Sequence, residues 1–162
     1  HDGASDSDRG VLILMTKEIL LSISGLHFVD GEDGSVEVVT AGDYYNRGGK
    51  HYILYDEVVE GISGHTSNVI KIGENSLEIT KKGLMNTRMV LEKGKRHRTV
   101  YQTPFVNIEI GLIGQELQVT ETEEKIDVRA EYVLEINEEN LSECTIEMNI
   151  KPREAGSLNL QG

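Results

Sequence analysis

Apolar and polar side chains alternate with a period of two along most of the chain. Residues 126–137 show this most clearly, since every second side chain from Ile126 to Ile136 is apolar and most of the others are polar. Successive side chains of a β-strand point to opposite faces, so the pattern predicts strands with one buried and one solvated face, as in antiparallel sheets. The same alternation predicts further strands at 77–80, 85–92, 106–112 and 143–150.

Turn sequences rich in glycine separate the alternating runs. Asn46–Gly49 is expected to close a hairpin between strands at 36–45 and 50–59, and Gly111–Gly114 is expected to form another turn. Together the turns predict about nine to eleven short strands, and no stretch has the period of an amphipathic helix. We predict an all-β fold, a single antiparallel barrel, closed or nearly closed, of about eight to ten strands, because closure removes exposed strand edges.

A length of 162 residues suits one domain with its own core and is too short for two. We assign the barrel domain to 15–151 and expect 152–162 to be a flexible tail. Residues 1–14 lack the basic start and the long apolar stretch of a signal peptide. They are interpreted as a disordered leader or as a remnant of cloning, with Met15 as the native start.

Charge and cysteine content restrict the partners that the sequence predicts. A net charge of −12 repels nucleic acid and anionic membranes, so neither is an expected partner. The only cysteine, Cys144, cannot form an intramolecular disulfide, which suits a reducing cytoplasm. No apolar run is long enough for a membrane-spanning helix. Whether the protein forms a homodimer stays open at this point.

Three segments, taken in order, carry a resemblance to a known family. They are GDYYNRGGKHYILYDE (42–57), NTRMVLEKGK (86–95) and YQTPF (101–105). This combination resembles the YwiB-like family, a bacterial group with a domain of unknown function and a calycin-like (lipocalin-like) β-barrel. The resemblance covers 16–151 and has one departure, since Val106 stands where the family pattern has Gly. The resemblance implies a barrel and no established activity. Other calycin-like barrels often bind small apolar molecules, but extending that property to this chain would be an analogy from the fold alone.

Four of the six tyrosines lie across the predicted hairpin, with His51 among them. Tyrosine hydroxyls inside a barrel would orient a ligand with a polar head, since pockets combine apolar walls with a few polar groups. The alternative is that these tyrosines only form cross-strand pairs, with their hydroxyls at the rim. Arg88 is a candidate partner for an anionic group. The predicted binding set for a small amphipathic molecule is Tyr52, Tyr55, His51, Arg88, Met89, Tyr101 and Tyr132.

No combination of residues has the spacing of a catalytic or metal site. The histidines His27, His51, His65 and His97 lack the spacing of metal ligands, and Cys144 has no cysteine partner. The chain also lacks the Gly-x-Ser-x-Gly motif of a nucleophile elbow. We therefore predict a protein that is not an enzyme and uses neither a cofactor nor a metal.

One basic cluster contrasts with this acidic chain: Lys93, Lys95, Arg96 and Arg98. It is predicted as an interaction surface for a phosphate, a carboxylate or an acidic partner. The alternative is a charged hairpin tip whose cations balance neighbouring acids. The leading hypothesis is thus a barrel that binds a small amphipathic ligand in its lumen, the second is a scaffold for protein interactions, and the third is an uncharacterised enzyme.

Overall fold

The structure, a computed structural model, describes residues 17–25, 37–58 and 60–154. These residues form ten β-strands and no helix. The strands are β1 (Lys17–Ser24), β2 (Glu37–Arg47), β3 (Lys50–Glu57), β4 (Thr66–Ile72), β5 (Ser76–Gly83), β6 (Thr87–Glu92), β7 (Arg96–Gln102), β8 (Asn107–Glu121), β9 (Ile126–Ile136) and β10 (Asn140–Pro152). The predicted leader 1–14, His27 and most of the predicted tail 152–162 lie outside the described residues.

The ten strands form one antiparallel meander in which β1 also pairs with β10. Their order across the sheet is β6-β5-β4-β3-β2-β1-β10-β9-β8-β7. The two outermost strands come together through a bridge between Asn86 and Gln102, and Lys93 bridges to Gly114 of β8. These links bring the two edges of the sheet together, so the predicted all-β, nearly closed barrel is confirmed.

The meander places its turns at two ends of the barrel, which we call the Glu57 end and the His51 end. The Glu57 end carries the turns β3–β4, β5–β6, β7–β8 and β9–β10, and the His51 end carries the other described turns. In the β2–β3 turn, Gly48 and Gly49 both have positive φ. Such a two-residue turn matches the twist of its strands, so the hairpin predicted from Asn46–Gly49 is confirmed.

One face of each strand points into the barrel and contributes to a single apolar core. Across β3 to β6 the inward positions form four cross-strand rows, spaced by about 7 Å. From the Glu57 end to the His51 end, the rows are Glu57–Thr66–Gly83, Tyr55–Asn68–Lys81–Thr87, Ile53–Ile70–Ile79–Met89 and His51–Ile72–Leu77–Leu91. On this wall, polar side chains therefore occur at the two ends of the lumen, with apolar ones between them.

The predicted turn at Gly111–Gly114 is wrong, because both glycines lie inside β8. A Cβ atom on Gly111 would stand 2.6 Å from Oε1 of Glu135, and one on Gly114 would collide with the carbonyl oxygen of Glu92. The glycines thus permit close approach of neighbouring groups and do not mark a turn. The strand shifts register between Gly114 and Glu116, as at a β-bulge, and then continues.

The β9–β10 turn contains two residues with positive φ, Asn137 (52°) and Glu138 (66°). A left-handed conformation costs a residue other than glycine about 1 kcal/mol. Glu138→Gly removes that cost. It also removes the ion pair between Glu138 and Arg98, and both side chains of this pair are exposed. Because an exposed ion pair contributes less to stability than the backbone strain costs, we expect the free energy of unfolding to rise by about 0.5 kcal/mol. Urea titration measures this change.

Glu139→Gly is the matched control, since Glu139 lies in the same turn without a positive φ. It should not stabilise the protein, because glycine then only adds freedom to the unfolded chain. Equal effects of the two substitutions would show that backbone strain at Glu138 does not limit stability.

Candidate functional site

A hydrogen-bonded chain of three side chains crosses the mouth of the barrel at the His51 end. His51 lies on the inner face of β3 and is 7% exposed. Its Nδ1 lies 2.8 Å from the Tyr44 hydroxyl oxygen, and its Nε2 lies 2.6 Å from Oε2 of Glu121. Glu121 ends β8, which is separated from β3 by four strands in either direction around the barrel. The contact between His51 and Glu121 therefore joins opposite walls.

The Glu121 carboxylate accepts hydrogen bonds only, which determines the protons of this chain. Nε2 of His51 carries the hydrogen that it donates to Glu121, and when the ring is neutral its Nδ1 accepts a hydrogen bond from Tyr44. Burial raises the pKa of Tyr44 above its ordinary value, and the charge of Glu121 adds to the rise. Although the order carboxylate–imidazole–hydroxyl resembles a catalytic triad, the Tyr44 hydroxyl is a buried donor and a poor nucleophile.

An open cleft of about 700 Å³ lies beside this chain, at the mouth of the lumen. It lies between the two walls that the His51–Glu121 contact joins. Its lining combines apolar and polar side chains, among them Ile72, Leu117, Val119, His51, Glu74 and Glu121. A concave site of this size, with apolar walls and a few polar groups, is typical of small-molecule binding.

A buried lysine organises the polar row at the Glu57 end. Lys81 lies on the inner face of β5 and is 4% exposed. Its Nζ donates to Oε1 of Glu57 at 2.9 Å and to Oδ1 of Asn68 at 2.8 Å. Nδ2 of Asn68 donates to the same Glu57 oxygen at 3.0 Å. The ammonium is thus both paired and hydrogen-bonded, as a buried charge must be.

Two tyrosines and a threonine complete this end of the lumen. Burial raises the pKa of Tyr55, and the charge of Glu57 adds to the rise. The Tyr101 hydroxyl donates to Sδ of Met85 at 3.0 Å. The buried hydroxyl of Thr87 has no hydrogen-bond partner among the described residues. Because an unpaired buried hydroxyl is unfavourable, this position has spare hydrogen-bonding capacity.

Five of the seven predicted ligand-binding residues are buried on the inner face of the barrel: His51, Tyr55, Met89, Tyr101 and Tyr132. Of these, only His51 lines the cleft at the mouth. Tyr55 and Tyr101 belong to the opposite end, and Tyr132 lies within the core, where burial raises its pKa. The structure therefore divides the predicted set between two ends, and ligand contact by any of its members stays a prediction.

Tyr52 and Arg88, the other two predicted ligand-binding residues, lie on the outer face of the barrel, away from the lumen. Tyr52 stacks on Tyr45 with ring centroids 4.8 Å apart, and Nζ of Lys71 lies 5.7 Å from its ring centroid. Arg88 is exposed, and its Nη2 pairs with Oε2 of Glu78 at 2.7 Å. Each is one residue away from an inward side chain, and alternation along the strand turns it outward.

Each cation of the predicted interaction surface is paired with a neighbouring carboxylate. The pairs are Lys93–Glu116 at 3.3 Å, Lys95–Glu92 at 3.5 Å, Arg96–Glu135 at 3.1 Å and Arg98–Glu138 at 2.9 Å. A hydrogen bond from His97 also lowers the pKa of Glu92. The pairing fits the alternative of a hairpin tip whose cations balance nearby acids, and binding of an acidic partner at this surface stays a prediction.

Sequence reasoning missed Asn68, Lys81 and Glu121 as site residues. Asn68 and Lys81 lie an even number of positions from the buried isoleucines of β4 and β5, and therefore on the same strand face. Extending the alternating pattern along both strands would have placed these two side chains inside the barrel. Glu121 is 70 positions from His51. The two meet only because the barrel closes, and no local pattern signals that contact.

Two kinds of feature are absent from the part of the chain that the structure describes. No group of three or more His, Cys, Asp or Glu side chains is arranged there to hold a metal ion. Those residues also include no helix of the length and apolarity that spanning a membrane requires.

Comparison with known proteins gives a family match and a fold match. The family described as Domain of unknown function (DUF1934) matches residues 21–148. The crystal structure of ywiB protein from Bacillus subtilis is similar, with 19% sequence identity and a TM-score of 0.71, over 86% of this chain and 94% of that chain. At this identity the likeness shows the fold alone. No curated protein matches the chain.

Alkaline pH should destabilise the fold through its tyrosines. Burial raises the pKa of Tyr44, Tyr45, Tyr55, Tyr101 and Tyr132. The unfolded chain ionises these groups near pH 10, about their ordinary pKa, while the folded chain keeps them neutral to higher pH. The contribution of these tyrosines to the free energy of unfolding should therefore be constant below about pH 10, and it should be lost progressively above it.

Urea titrations at a series of pH values measure this fall, and tyrosinate absorbance reports ionisation in the same samples. Tyr132→Phe removes one buried hydroxyl and should make the fall less steep. Tyrosinate absorbance that rises at the ordinary pKa in the folded protein, with no loss of stability, would contradict the burial of these hydroxyls.

Removal of the Lys81 ammonium should destabilise the barrel strongly. Lys81→Met leaves the Glu57 carboxylate without its buried partner, which we expect to lower the free energy of unfolding by about 3 kcal/mol. Adding Glu57→Gln should recover part of that loss, because the remaining group is then neutral. Lys82→Met, at an exposed position of the same strand, is the control and should change stability by less than about 0.5 kcal/mol. A similar loss in both lysine variants would rule out a structural role for the buried charge.

Proposed function

Because the chain belongs to the YwiB-like family of the domain of unknown function DUF1934, whose description states no activity, we propose its function from the barrel itself. The protein binds a small amphipathic molecule in the cleft at the His51 end. The observation that supports this most directly is an open cleft of about 700 Å³ that combines apolar walls with the polar chain of His51 and Glu121.

The head group of the ligand is a hydrogen-bond donor or a cation. Two carboxylates, Glu74 and Glu121, line the cleft, and its described lining includes no lysine or arginine. Oε2 of Glu121 accepts from His51, which leaves Oε1 for the ligand. A hydrogen bond to a carboxylate is stronger than one between neutral groups, and the net charge of −12 also attracts cations. An anionic head, for which Arg88 was the expected partner, is disfavoured.

The apolar part of the ligand lies against Leu117 and Val119. Both side chains are only partly buried where they pack on the core, so they offer apolar surface that a ligand would remove from water. Below the mouth, the next row inward, which contains Ile53 and Ile70, is buried. The ligand therefore occupies the mouth and does not extend through the whole lumen.

Binding occurs without catalysis, and the protein acts in the cytoplasm. Among the described residues, the hydroxyl that is hydrogen-bonded to His51 is that of Tyr44. Tyr44 is 2% exposed, so a substrate could not reach this hydroxyl. Burial raises the pKa of the Cys144 thiol, which keeps the thiol protonated and unreactive. A single unreactive thiol is compatible with a reducing compartment.

Native mass spectrometry of protein purified gently from its own host tests the proposal. The wild type should carry an excess mass that disappears on denaturation. Glu121→Gln removes the charged acceptor, and we expect it to reduce the retained fraction about tenfold. Glu116→Gln makes the same change on β8 at an exposed position that pairs with Lys93, and it should retain the ligand like the wild type.

Two results would contradict binding in the cleft. One is a wild type without excess mass after gentle purification. The other is equal retention in the Glu121 and Glu116 variants, since the ligand would then not depend on the carboxylate at the mouth.

A second candidate function is a scaffold for protein interactions, favoured by two adjacent apolar side chains. Phe105 and Val106 are 80% and 50% exposed in the β7–β8 turn, and exposed apolar patches mark contact surfaces. Analytical ultracentrifugation compares the wild type with the double variant Phe105→Ser, Val106→Ser. A wild-type homodimer that the variant loses would support this function, and monomers in both would remove its basis.

A further inference from the structure

We propose that the polar row at the Glu57 end is a second binding site, which takes the hydroxyl or primary amide group of a small uncharged molecule. The site consists of Glu57, Asn68, Lys81 and Thr87, on the wall formed by β3 to β6. It lies at the opposite end of the lumen from the cleft beside His51, and it does not depend on the function proposed for that cleft.

Lys81 has one hydrogen-bond donor left over. An ammonium group has three N–H donors, and two of them are used by Glu57 and Asn68. The third has no partner among the described residues. On the acceptor side, Oε1 of Glu57 receives both of the hydrogen bonds from this row, and Oε2 receives none from the residues that the structure describes.

Thr87 carries the second unused group. Its Cα is the direct cross-strand partner of Lys81, and both side chains are buried on the inner face. The residue is 8% exposed, and its Oγ1 has no hydrogen-bond partner in the described part of the chain. An unpaired hydroxyl beside an incompletely used ammonium is unfavourable in a buried site, and a small polar guest would satisfy both groups.

The charges of the row select a neutral guest. Lys81 and Glu57 form an ion pair at 2.9 Å, so the row has no net charge to attract an ion. A carboxylate guest would be repelled by Glu57, and an ammonium guest would be repelled by Lys81. A hydroxyl or a primary amide both donates and accepts, and so it matches the free N–H of Lys81, Oε2 of Glu57 and the hydroxyl of Thr87.

Glu57 gives access to this row, since its side chain is 33% exposed at the end of β3. Thr87 begins β6 next to Asn86, which is hydrogen-bonded to Gln102 across the seam between β6 and β7. A guest therefore enters along Glu57 and not through that seam.

Methyl NMR with four probes of equal chain length tests the site: butanamide, 1-butanol, butanoate and butylammonium. Butanamide and 1-butanol should shift the methyl signals of Thr87 and Met89 in a saturable way. Butanoate and butylammonium should bind at least about tenfold more weakly, since each meets a like charge. The methyl signals of Val119, at the His51 end, should stay unchanged, which separates this site from the cleft.

Thr87→Val keeps the shape of the side chain and removes the hydroxyl. We expect it to weaken butanamide binding about tenfold and to raise the melting temperature of the probe-free protein, because the unpaired hydroxyl is gone. Thr87→Ser keeps the hydroxyl and should keep binding. Thr80→Val, on the neighbouring strand at a position that faces the other way, is the matched control and should leave binding unchanged.

Three results would overturn the proposal. In the first, the four probes bind equally or none shifts the Thr87 methyl signal. In the second, Thr87→Val binds butanamide as tightly as the wild type. In the third, a water molecule occupies the row and none of the probes displaces it, which would make the row a structural hydration site only.

Discussion

Strand alternation is the constraint on which the rest of this structure depends. Ten strands that close into a barrel send every second side chain inward, whether or not that side chain is apolar. In the middle of the β3–β6 wall the inward residues are isoleucine and methionine, whose side chains need no hydrogen-bond partners. Where the inward residue is His51 or Lys81, it must be hydrogen-bonded or paired, and both are. The two polar ends of the lumen follow from this requirement.

The two ends meet the requirement in different ways. At the His51 end, the partner comes from the opposite wall, and the Glu121 carboxylate has a largely solvated side chain beside an open cleft. At the Glu57 end, the partners of Lys81 are its neighbours Glu57 and Asn68 on the same wall, and the Lys81 ammonium is buried. An accessible carboxylate suits a donor or cationic ligand, whereas a neutral buried row suits an uncharged one. We therefore propose two sites of different chemistry in one barrel.

Much of the fold was predictable, because alternation and turn residues are local signals. The β2–β3 hairpin and the buried face of β9 follow directly from them. Gly111 and Gly114 misled the prediction, since glycine permits close approach inside a strand as well as a turn. The orientation of Tyr52 and Arg88 depends on register, which one residue of slip reverses. The contact between His51 and Glu121 was not predictable, because it exists only once β3 and β8 face each other across the closed barrel.

The central claim is that the mouth beside His51 is a ligand site, and a crystal structure of protein purified gently from its own host tests it most directly. The data must be good enough to separate ordered water from organic density. The account predicts continuous density in the cleft, with a polar atom at hydrogen-bond distance from Glu121 and an apolar part against Leu117 and Val119. A cleft that contains only ordered water in such crystals, or one closed by its own side chains, would contradict it.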